Sequence, residues 1–175
     1  SSDLIEEKEQ EEFFRARHKR DLADILTDIP PSMKEAIRYF ILSTAISDKR
    51  HDENEHRSML INVSWFTAVQ DKTAELVEKY LDYVKSDIQN YSKLSLKDSL
   101  KIENIRDLQD TWNKYSLESL AGLKFEKILS NYLTKASKRI LIRTVNQNNK
   151  NSLDYYNYKD TGMRVIAIGG NSLSR

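Results

Sequence analysis

The apolar residues of this chain fall into two kinds of pattern. Met33, Ile37, Phe40, Ile41 and Ala45 recur at helical spacing, which places them on one face of a helix. The same period returns in Val69, Leu76, Val77, Tyr80, Leu81, Val84 and Ile88, predicting a helix to about Tyr91. Ile105, Leu108 and Trp112 predict a further one, and Leu120, Phe125, Ile128, Leu129, Tyr132 and Leu133 another over residues 117–137. Ser32 with Glu35, Thr67 with Gln70 and Ser95 with Asp98 have the spacing of capping boxes where these helices would begin. Three other runs, "SMLINV" (58–63), "RILIRTV" (139–145) and "MRVIAIGG" (163–170), are short, apolar and bounded by polar residues. Such runs read as buried strands.

Strands separated by helices favour parallel pairing, because a parallel neighbour requires a crossover connection. The fold class expected is therefore α/β, a small parallel sheet of about three strands with a large helical insertion at about residues 68–137. Residues 1–28 are mostly charged, with Phe13, Phe14, Leu22, Ile25 and Leu26 as apolar points, and predict an N-terminal helix broken by "IPPS". Residues 29–175 then form one lobe. "SDKRHDENEHR" (47–57) and the stretch 146–162 read as polar loops.

Composition narrows the chemistry. The chain has 175 residues, 39% hydrophobic and 31% charged, enough for one domain with a core. Its net charge of +1 gives no global field toward nucleic acid or acidic partners. The absence of cysteine excludes disulfides and thiolate metal sites. No apolar run approaches the length of a bilayer span, so the expectation is a cytoplasmic protein with no membrane partner. The four glycines, Gly122, Gly162, Gly169 and Gly170, supply neither a phosphate loop of the G-x-x-x-x-G-K-[ST] type nor G-x-G-x-x-G. No G-x-S-x-G nucleophile elbow occurs either. The chain carries no self-sufficient catalytic site, and its catalytic residues are unknown from sequence.

Several stretches nevertheless suit ligand contact. In "IGGNSLSR" Gly169 and Gly170 allow close backbone approach at a strand end, where ligands of open parallel sheets bind. Asn171, Ser172 and Ser174 can donate to an oxyanion, and Arg175 can pair with phosphate. The plain alternative is a strand-ending turn with polar punctuation. "HRSMLINVSWFT" repeats the theme, with Ser64 and Thr67 at a helix start whose amides favour anions; ordinary capping explains them equally. Trp65 suits base stacking or burial. "HDENEH" gathers His51, Asp52, Glu53, Glu55 and His56 without the spacing of a known metal motif, so no metal site is assigned. Tyr155, Tyr156 and Tyr158 beside Lys150 and Lys159 mix aromatics with positive charge, as single-strand binders do, but also as a solvated loop does.

Taken together, "DILTDIPPSMKEAIRYFIL", "HRSMLINVSWFTAVQ" and "RVIAIGGNSLSR" resemble the bacterial Z1-domain family over residues 22–175. That family is described in large helicase-type proteins and endonucleases of restriction or phage-defence loci. The resemblance implies a RecA-like second lobe in a DNA-processing, ATP-dependent protein. Met59 to Thr67 would be the entry strand and loop facing the nucleic-acid backbone, and Val165 to Arg175 a later strand and loop. Ser64, Thr67, Gly170, Asn171, Ser174 and Arg175 are then the contacts expected to DNA or to the other lobe. The resemblance implies that the longer protein holds ATP and a divalent metal, and that this piece holds no cofactor. Two departures stand out: Trp65 sits where a basic residue is expected, and the family's Gly-Leu-Thr-Leu-Glu-Gly continuation and its ATPase lobe are absent. The expectation is thus a piece of a larger protein, ending inside a functional loop. The rival expectation is a helical protein-interaction module presenting Trp112 and Tyr115; a third, a metal-dependent nuclease, requires His51 or His56 as ligands.

Overall fold

A computed structural model describes residues 26–52, 54–63, 67–145 and 162–170. The N-terminal helix expected over 1–28 falls almost wholly outside these residues, as do Ser64, Trp65, Asn171, Ser174, Arg175 and the tyrosine cluster.

Helix α1 (Pro31–Lys49) starts with proline at its first position and Pro30 as cap, without a side-chain cap bond. Proline suits that position because the amide it lacks has no intrahelical partner there. Ser32 is therefore not a capping residue, and its Oγ is buried without a hydrogen-bond partner. The helix runs further than expected: Ser47 and Asp48, read as loop from their polarity, lie in its last turn and are buried. Strand β1 (Arg57–Val63) follows, then the long helix α2 (Thr67–Tyr91), whose buried Leu76, Val77, Leu81, Val84 and Ile88 form one stripe.

Ser95 does cap a helix, accepting from the Asp98 amide at 3.3 Å. That helix, α3 (Leu96–Ser99), is short, and Ile105, Leu108 and Trp112 sit on a separate α4 (Glu103–Lys114). The single helix expected over 117–137 is also divided. After α5 (Leu117–Ala121) the chain turns at Gly122, then continues through α6 (Phe125–Ile128), a π-helical turn (Leu129–Leu133) and α7 (Thr134–Lys138). Gly122 has φ 67 and its amide donates to Glu118 O at 2.9 Å, ending α5 in a left-handed turn. Among the described residues an added Cβ would meet only Lys49 Nζ, at 3.6 Å. Gly122→Ala is therefore expected to cost about 1–2 kcal/mol from the left-handed backbone alone, measurable as a lower urea midpoint at unchanged slope.

Strands β2 (Leu141–Val145) and β3 (Arg164–Gly170) complete a three-stranded sheet of order β1-β3-β2, parallel throughout. The chain is mixed α/β, mostly helical, with a small parallel sheet. Helix α2 packs across all three strands. Ile61, Val63, Ile166 and Ile168 join the helices in the main core. Alternate residues Val165 and Ala167, with Met163 and Val145, form a second, smaller buried cluster on the opposite face. The central strand is buried along its whole length, as a parallel strand between two others should be. Among the described residues no helix is long and apolar enough to cross a membrane.

Candidate functional site

Parallel pairing brings the carboxyl ends of all three strands to one edge. Val63 stands opposite Gly170, and Val145 opposite Gly169. Both glycines belong to the strand, so the loop proper begins after them. The 25-residue helix α2 starts at Thr67, four residues beyond the end of β1. Its first amides have no intrahelical acceptors, and its dipole makes this end positive. Thr67 is exposed and Gly170 buried. Of the six expected contact residues these two are described, and they lie at the same edge of the sheet. Ser64 and Asn171 come next in sequence after β1 and β3, Ser174 and Arg175 four and five residues after β3, and all four lie outside the described residues.

The opposite, amino edge holds a charged cluster that the sequence pattern did not reveal. Arg164 opens β3, is 2% exposed, and places Nη2 3.3 Å from Asp48 Oδ1 and 2.9 Å from Asp52 O. Arg139 Nη1 lies 3.4 Å from the same carboxylate oxygen, and its Nη2 donates to Gly162 O at 3.0 Å. Burial pushes the Arg164 guanidinium below its usual pKa, and the Asp48 carboxylate opposes that shift. The cluster ties the end of α1 and the turn after it to the starts of β2 and β3. Two signals pointed to it. An arginine at the head of an all-apolar strand needs a buried counter-charge, and Asp48 continues the helical spacing of Ile41 and Ala45.

His56 belongs to the same edge: the Met163 amide donates to its Nδ1 at 3.0 Å. His51 is exposed with φ 64. Among the described residues no three His, Asp or Glu side chains come together to hold a metal ion. Trp112 corrects the expected interaction surface. It is 2% exposed and packs against Phe125 with ring centroids 5.9 Å apart, so it is core, whereas Tyr115 is exposed.

The model of the Z1 domain matches residues 32–175. The chain belongs to the Z1-domain family. Comparison with curated proteins and with solved structures returned no match. The matched span takes in α1, the whole sheet and both strand-loop stretches that carried the resemblance. It therefore includes the carboxyl edge and the buried cluster of the Z1 domain alike.

Proposed function

We propose that this Z1 domain presents the carboxyl edge of its sheet to a nucleic-acid backbone, as the RecA-like second lobe of a longer, ATP-dependent DNA-processing protein. The observation that carries the reading is the meeting at one edge of three parallel strand ends and the positive end of α2. Backbone amides and short hydroxyl side chains at such an edge suit phosphate oxygens and read no sequence. Ser64, Thr67, Gly170, Asn171, Ser174 and Arg175 are the proposed contacts.

ATP and a divalent metal fit poorly onto the residues present, since the chain has no phosphate loop and its described residues gather no metal-ligating trio. Both would be held by the other lobe, and no nuclease step is derived from this chain. A cytoplasmic setting goes with this reading.

The test is binding of single-stranded and duplex DNA against salt concentration, by this chain and by a version extended past Arg175. The extended form should bind more tightly, and log K should fall linearly with log salt. Arg175→Ala should reduce that slope by about one phosphate equivalent. Binding by neither form at low salt would end this reading. A protein-interaction role is favoured by one separate observation, an aromatic-lined groove beside β1.

A further inference from the structure

We draw no further inference here: the strongest candidate, the groove between α1 and β1 lined by Tyr39, Phe40, Met59, Leu60 and Tyr115, carries none, because nothing in the structure shows what covers it.

Discussion

Asp48→Ala is expected to lower stability by about 3–5 kcal/mol, the cost of breaking a buried ion pair from one side. Asp48 is 6% exposed and Arg164 2%. Their contact, with Arg139 on the same oxygen, stands where α1 meets the amino ends of β2 and β3. Removing the carboxylate leaves a guanidinium that burial already disfavours in its charged form. It retains the Asp52 carbonyl as an acceptor and the field of Glu55, but loses the carboxylate whose charge most favours its ionised form. Asp48→Asn should cost less, since an amide oxygen still accepts from Arg164. Pairing Asp48→Ala with Arg164→Leu should recover part of the loss, because an apolar pair incurs no charge-burial penalty. Chemical denaturation of the four proteins measures all of this. An Asp48→Ala midpoint within experimental error of the parent would mean that the cluster is not a structural clamp.

Trp112→Ala is expected to cost about 3–5 kcal/mol as well, through a different mechanism. The indole is the largest fully buried side chain among the described residues and packs on Phe125 within the core that joins α1, α2 and α4. Its loss leaves a cavity that the surrounding helices fill only in part. In a domain of this size the melting temperature should fall by roughly 6–20 °C. Tyr115, three residues later and 43% exposed, should behave in the opposite way. Tyr115→Ala should change stability by less than about 1 kcal/mol, in keeping with an exposed position. Comparable melting losses in the two variants would contradict the assignment of Trp112 to the core and Tyr115 to the surface.

The contrast between these neighbours shows where sequence reading reached and where it stopped. Trp112 sits at helical spacing from Ile105 and Leu108, so its core position was legible as period. Its reading as a presented aromatic ignored that period. Asp48 was lost for the converse reason. A charge beside Lys49, Arg50, His51 and Asp52 looks like part of a solvated loop, and only its register with Ile41 and Ala45 said otherwise. Gly122 and the π-helical turn at Leu129–Leu133 divided a stripe that looked continuous, because apolar spacing survives a break that the backbone does not.

At the carboxyl edge, the strand limits of "SMLINV" and "MRVIAIGG" were close to those observed, and with them the position of Thr67 and Gly170. The outer place of β1 among the described strands was not legible, since strand order depends on which run takes the centre. The apolar run Val165–Ile168 of β3 gave a hint, as a central parallel strand has no solvated face.

What the sequence determined by itself was local: which runs are strands, which are helices, that the strands pair in parallel, and that no phosphate loop is present. Each follows from side-chain period and glycine spacing along a few consecutive residues. What only the tertiary structure decided was neighbourhood. It set β3 between β1 and β2, brought Asp48 to two arginines far along the chain, and laid α1 beside β1 to form a groove. Those outcomes depend on how separate apolar faces and buried charges satisfy one another at once, and no single stretch of sequence contains that information.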